Sequence, residues 1–322
     1  MSPPTSTKLF FLSIYQATPE VPLDTQSLDD ITHRGRLQVL DVNNAGQPKT
    51  LIDNAHMPDG IAIGKKNGRM YWTQMGTPGK NDGSVYSASL DGTNVRTVLG
   101  PGVANTPKQI VLDGESSKLY FCDREGLRVH RCNTDGSGHE VIIQTGDWQN
   151  EEHQKNQTRW CVGIAVSRRL GKIFWTQKGA PKSSQGRIFS ANIEMPERSS
   201  PDSRPDIELV MEKLPEPIDL EVDEDTGTLY WTDRGEFPFG NTLNRKTIRG
   251  KTPEAERKQG RQILAEGFGE AIGLALDHVN QCVWVADLCG RIWCCDAQKP
   301  AAKHKLYESE TSVLTGLAVL HD

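Results

Sequence analysis

Two lysines in this chain each stand beside a glutamine, in Lys108-Gln109 and Gln177-Lys178, and a further carboxylate is available at Glu270. Ammonium and carboxamide groups donate hydrogen bonds and can hold an oxygen on which negative charge gathers; a carboxylate can take up or return a proton. Tyr15, Asp59, Gln74, Arg124, Trp160, Asp233 and Phe237 are candidate substrate-binding groups around them. None of these residues forms a metal or nucleotide motif. His139-Glu140 lacks the second histidine of a zincin helix, and the cysteines lack the paired short spacings of a zinc site. Gly267-Phe268-Gly269 lacks the last glycine of a dinucleotide fingerprint, and neither a phosphate loop nor a nucleophile elbow is present. Chemistry without a metal or cofactor is therefore expected.

The elements that position these groups are written as a repeat. Leu229-Tyr230-Trp231-Thr232-Asp233 is the best copy. The others are Met70-Tyr71-Trp72-Thr73-Gln74, Leu119-Tyr120-Phe121-Cys122-Asp123, Ile173-Phe174-Trp175-Thr176-Gln177 and Val283-Trp284-Val285-Ala286-Asp287, with a worn copy at Leu9-Phe10-Phe11-Leu12-Ser13. The copies begin at 9, 70, 119, 173, 229 and 283, at intervals of 49 to 61 residues. A strand-like unit with a period of about 50 residues predicts a radial array of small sheets.

Each aromatic strand follows a short apolar one, such as Gly60-Ile61-Ala62-Ile63 or Gly273-Leu274-Ala275-Leu276, across a tight turn such as Asn67-Gly68. Two outer strands follow. The predicted fold is all-β: a six-bladed propeller of four-stranded antiparallel blades, one domain over residues 1–322. The segment Thr315 to Leu320 is a first strand without a second, and Leu9 to Ser13 a second strand without a first. The two termini are thus expected to share a blade and close the ring.

In such a ring the connections into the first strands and out of the second share one face. The long loops Ile14 to Arg34, Gln74 to Gly83, Gly146 to Trp160, Gln177 to Gly186 and Arg234 to Asn244 all fall there, opposite mostly tight turns. Long loops gathered on one face mark a binding mouth. Aromatic loop residues such as Trp148, Trp160, Phe237 and Phe239 would line it. Asp123, Asp233 and Asp287 hold the repeat position itself and are expected to tie blade backbones together. Gln74 and Gln177 replace that aspartate, which predicts another task for them.

The bulk numbers narrow the partners. With 37 basic and 42 acidic residues the net charge is −5, too little positive charge to expect a nucleic acid. No apolar run reaches the roughly 20 residues of a membrane span. Seven cysteines, an odd number that does not recur from blade to blade, predict reduced thiols in a cytoplasmic protein. Oligomerisation stays open.

The Tyr-Trp-Thr-Asp units resemble the YWTD repeats of low-density lipoprotein receptor propellers over nearly the whole chain. Those propellers sit among disulfide-rich modules; this chain is more similar to free-standing fungal propellers, among them hetero-Diels–Alderases of tropolone–sesquiterpenoid biosynthesis. That narrower resemblance implies a cofactor-free cycloaddition between a tropolone-derived quinone methide and a humulene-type alkene, and small-molecule partners. It implies hydrogen-bond donors at the quinone methide carbonyl from Lys108, Gln109, Arg124, Gln177 and Lys178. Glu270 or Asp59 would handle the proton in the water loss that forms the diene, and Trp160, Tyr15 and Phe237 would pack on the hydrocarbon. The receptor resemblance implies the alternative: a non-catalytic module gripping a protein or small-molecule ligand on the same face.

Overall fold

The computed structural model describes residues 6–16, 27–44, 46–181, 183–236, 238–248 and 260–322. Its strands form six sheets of four strands each, a six-bladed β-propeller. Blades one to five run in chain order over 58–104, 107–144, 161–214, 217–266 and 271–308. In each of them the first strand pairs antiparallel with the aromatic strand, as Ile61 with Trp72 and Leu220 with Trp231.

Blade six is built from both ends of the chain. Ser312–His321 pairs antiparallel with Thr7–Gln16, which continues into Gly35–Asp41 and Lys49–Ala55. The Lys8–Asp322 ion pair at 2.8 Å and the Thr7–His321 contact at 3.2 Å hold the joint. Thr7–Gln16 is thereby paired along both of its edges.

Alternation along the aromatic strand explains why the repeat reads as it does. Successive side chains of a strand face opposite sides, so each copy serves two seams. Tyr71 packs with Phe121 between blades one and two, while Trp72 packs with Phe10 between blades six and one. Trp175 joins Tyr120 in the next seam, and Phe174 joins Trp231 in the one after. Truncating one such buried aromatic costs about 3–5 kcal/mol.

The threonine of the repeat is a staple. Its hydroxyl accepts from the third residue of its own first strand and donates to a carbonyl of the next blade. Thr73 accepts from Gly60 N at 2.9 Å and donates to Lys108 O at 2.7 Å. Thr176 likewise bridges Gly163 N and Ile218 O, and Thr232 bridges Asp219 N and Ile272 O. In blade two Cys122 takes the place, its thiol donating to Gly163 O at 3.2 Å; Ala286 in blade five has no donor to offer.

Close approach at the axis sets the glycines. A Cβ on Gly163 would lie 2.1 Å from Ile218 O, and one on Gly316 2.4 Å from Asp59 O. The same position carries a side chain in two blades only, Gln109 and Asp219.

Candidate functional site

The register fixes what meets at the mouth. Pro58 lies opposite Gln74, Pro107 opposite Asp123, Cys161 opposite Gln177, Pro217 opposite Asp233 and Ala271 opposite Asp287. The next residue of each first strand, with Thr315 from blade six, therefore forms a ring about the axis: Asp59, Lys108, Val162, Ile218, Ile272 and Thr315. All six are at least nine-tenths buried. The ring is divided. Val162, Ile218 and Ile272 pack together with Leu288 against them. Opposite, Lys108 Nζ donates to Asp59 Oδ1 at 2.5 Å and to Met75 Sδ at 3.1 Å, and Gln109 Nε2 donates to Asp59 Oδ2 at 3.2 Å. The expected trio of Asp59, Lys108 and Gln109 is thus brought together. Burial pushes the Lys108 ammonium below the usual lysine range, with Asp59 opposing the shift.

A second set of groups runs along the rim over blades two to five. The Arg124 guanidinium lies 5.0 Å and Lys178 Nζ 5.5 Å from the Trp160 ring, within cation–π range. Lys178 Nζ donates to Glu216 Oε1 at 2.5 Å, Arg234 Nη2 donates to the same oxygen at 2.6 Å, and Arg234 Nε stands 3.7 Å from Glu270 Oε2. Desolvation lowers the pKa of Lys178, with Glu216 opposing it. Trp160 is fixed from above: its indole N–H donates to Gln154 O at 2.7 Å. The loop that carries it holds a short helix, Glu151–Lys155, capped by the Asn150 side chain.

Other expected site residues lie apart from these two groups. Gln74 Oε1 accepts from His56 N at 3.1 Å. Asp123 takes the equivalent bond from Asn105 N at 3.0 Å; from the following residue Asp123 accepts Thr106 N and Asp233 accepts Glu216 N, each at 2.7 Å. Gln74 therefore keeps the structural task of the aspartate it replaces, contrary to expectation, because a carboxamide oxygen accepts as a carboxylate does. Gln177 Oε1 accepts from Arg187 Nη2 at 2.8 Å, beside a cleft of ≈ 370 Å³ that also takes in Arg159 and Phe189. Tyr15 is half-buried where the two terminal strands pair. Asp233 is fully buried and tied to its own loop, not open to a ligand. Phe239 is exposed, with Arg261 at 5.6 Å from its ring. Phe237 lies outside the described residues.

Sequence reasoning missed two carboxyls on the first strand of blade four. Asp219 Oδ2 accepts from Leu274 N at 3.1 Å, and Glu221 Oε2 from Leu276 N at 2.8 Å. Burial pushes Asp219 well above the carboxylate range and Glu221 up to about 7. A glutamate where other first strands carry alanine or valine was the available signal. Among the described residues no three His, Cys, Asp or Glu side chains gather as a metal site, and no helix is long and apolar enough to cross a membrane.

Fold and mouth together define a YWTD-type six-bladed propeller with a half-polar, half-apolar axial floor. No protein-family model matches the chain. A protein of Pyricularia oryzae named low-density lipoprotein receptor-related protein 1 is 44% identical over 279 residues, 84% of this chain and 88% of that protein. The chain belongs to the family of that protein. A protein of Cochliobolus heterostrophus named 3-hydroxyacyl-CoA dehydrogenase-like protein LAM1 is 47% identical over 279 residues, again 84% of this chain. The chain spans only 58% of the length of that relative. Among solved structures, a chain of a nidogen/laminin complex superposes with a TM-score of 0.69 at 17% identity, covering 97% of this chain and 98% of that one. TolB from Acinetobacter baumannii reaches 0.64 at 10% identity, over 97% of this chain and 66% of its own. These two likenesses concern the fold alone.

Proposed function

We propose that the chain is a cofactor-independent enzyme that joins an apolar polyene to a polar, reactive diene at the mouth of the ring. The reaction is an intermolecular hetero-Diels–Alder cycloaddition of a tropolone quinone methide with a humulene-type sesquiterpene. The observation that carries this reading is the divided floor. Val162, Ile218 and Ile272 offer a hydrocarbon an apolar seat, while Lys108 and Gln109 stand across the axis as donors already oriented by Asp59.

Asp59 and the Met75 sulfur take two of the three ammonium N–H groups of Lys108, and Asp59 takes the carboxamide N–H groups of Gln109 through Oδ2 at 3.2 Å and its backbone O at 3.4 Å. The third N–H of Lys108 is left for the quinone methide carbonyl, where charge builds in the transition state. Donors held by a buried carboxylate need little reorganisation as that charge grows. Trp160, clamped by its indole bond, packs on the hydrocarbon, and Glu270 at the half-open rim takes the proton when the diene forms. Holding both partners in one orientation supplies the rest of the acceleration.

A second reading has its own support. The rim chain of Arg124, Lys178, Glu216, Arg234 and Glu270 is ionic throughout, which suits a polar protein interface and a non-catalytic role. One experiment separates the two. The purified chain is mixed with the two reactants, and the product ratio is compared with spontaneous coupling. An altered ratio that reverts in Gln109→Ala and falls in Lys178→Ala is expected; an unchanged ratio with wild-type protein refutes catalysis.

A further inference from the structure

Four blades carry an arginine at or next to the start of the third strand: Arg36, Arg128, Arg187 and Arg291. Three of them are neutralised. Arg36 pairs with Asp53 at 2.9 Å, Arg128 with Asp123 at 2.7 Å and Arg291 with Glu308 at 3.0 Å. In blade three the residue opposite is Gln177, so Arg187 meets a carboxamide where Arg128 meets a carboxylate. Arg187 Nη2 donates to Gln177 Oε1 at 2.8 Å and to Thr158 O at 2.6 Å, both uncharged acceptors. Among the described residues it makes no ion pair.

A second guanidinium stands in the same cleft of ≈ 370 Å³, on the seam between blades two and three. Arg159 Nη1 donates to Thr145 O, and among the described residues Arg159 pairs with no acid. No described carboxylate lines the cleft. Phe189 and Ile207 give it an apolar wall, with the Arg187 guanidinium 5.1 Å from the Phe189 ring. Burial, seconded by the like charge of Arg159, pushes Arg187 below the usual arginine range, against Cys161 and the exposed Glu212. Cations drawn this far out of water are ordinarily paired, and a chain of net charge −5 has acids to spare.

We propose that this cleft binds a small organic carboxylate, its charge held between Arg159 and Arg187 and its apolar part resting on Phe189 and Ile207. Arg187 Nη1 and Arg159 Nη2 carry no hydrogen bond to the described residues and are the donors for the acid. A planar guanidinium suits the two oxygens of a carboxylate. Gln177 is the residue that makes the site: it orients Arg187 and leaves its charge uncancelled. The site is separate from the axial floor and takes no part in the reaction proposed there.

Benzoate is the probe, followed by ligand-observed NMR on the native chain. One saturable site is expected. Benzamide keeps the ring but lacks the charge, and is expected to bind about tenfold more weakly or not at all, as loss of a charge-assisted pair predicts. Gln177→Glu rebuilds the ion pair of blade two and is expected to abolish benzoate binding; Arg159→Met is expected to weaken it about tenfold. Absence of benzoate binding, or equal binding of benzamide, overturns the proposal with the wild-type chain alone. Benzoate binding that is indifferent to Gln177→Glu in a folded variant overturns the assignment to this cleft. Inorganic phosphate that displaces benzoate at equal concentration overturns the carboxylate in favour of a bare oxyanion.

Discussion

Asp123 and Asp233 hold the same place in blades two and four, and both are fully buried. Their carboxyls nevertheless titrate at opposite ends of the scale. Burial works against ionisation in each. At Asp123 it is outweighed by bonds from His130 at 3.4 Å, Arg128 at 2.7 Å and backbone N–H groups, which hold the group at about 2. At Asp233 only backbone N–H groups donate, Arg261 stands 3.9 Å away, Oδ2 has no hydrogen-bond partner, and the group rises to about 7. The deciding residues stand on the third strand: His130 and Arg128 in blade two, where blade four has Asn244 and Thr242. A repeat fixes where a group sits; its neighbours on the next strand decide its charge.

The sharpest way to break this comparison is Arg128→Met. It strips a buried carboxylate of its main cation and is expected to cost about 3–5 kcal/mol in urea unfolding, against less than about 1 kcal/mol for Arg261→Met, whose partner is mostly protonated below pH 7. Equal losses would end the contrast.

Asp233→Asn tests the other side. Between pH 3.8 and about 7 the folded chain keeps a proton on Asp233 that the unfolded chain has lost, so this group lowers stability as pH rises. The amide is expected to stabilise the chain by on the order of 2 kcal/mol at pH 8 and to change little at pH 4. Asp123 has the reverse slope, its contribution lost as pH falls from 3.8 through about 2.

Thr232→Val removes the staple of blade four, leaving Asp219 N and Ile272 O unpaired at about 1–3 kcal/mol. The matching change in blade two, Cys122→Ala, is expected to cost less through its hydrogen bond, because a thiol is a weak donor.

The smallest effect concerns the histidines behind Asp123. His139, bonded to His130 at 2.9 Å, is depressed to about 4 by burial and by His130. Stability is expected to fall as pH drops from 6.5 to about 4, where the unfolded chain binds the proton first. His139→Gln is expected to flatten that slope in melts recorded across the range.

The wheel was legible in the sequence because its aromatic strands feed two seams each, so every unit must repeat the same alternation. Closure by both termini followed from two half-blades. The mouth was legible by register: Asp59, Lys108 and Gln109 were expected there and meet there, although 49 residues separate Lys108 from Asp59. Which contacts these groups make was not legible, since they depend on how the ring curves. The threonine staple was hidden because an ordinary hydroxyl gives no signal of its partner. Gln74 misled because a changed charge suggested a changed task, when only an acceptor oxygen was required.

The joint between the two terminal strands also sets an order of events during synthesis. Gln16 leaves the ribosome 296 residues before Ser312, the residue to which it bonds. Until then Thr7–Gln16 has no inner partner. Emergence of Ser312–His321 is the step that locks the circle, so a stop before Ser312 leaves Thr7–Gln16 with one edge unpaired.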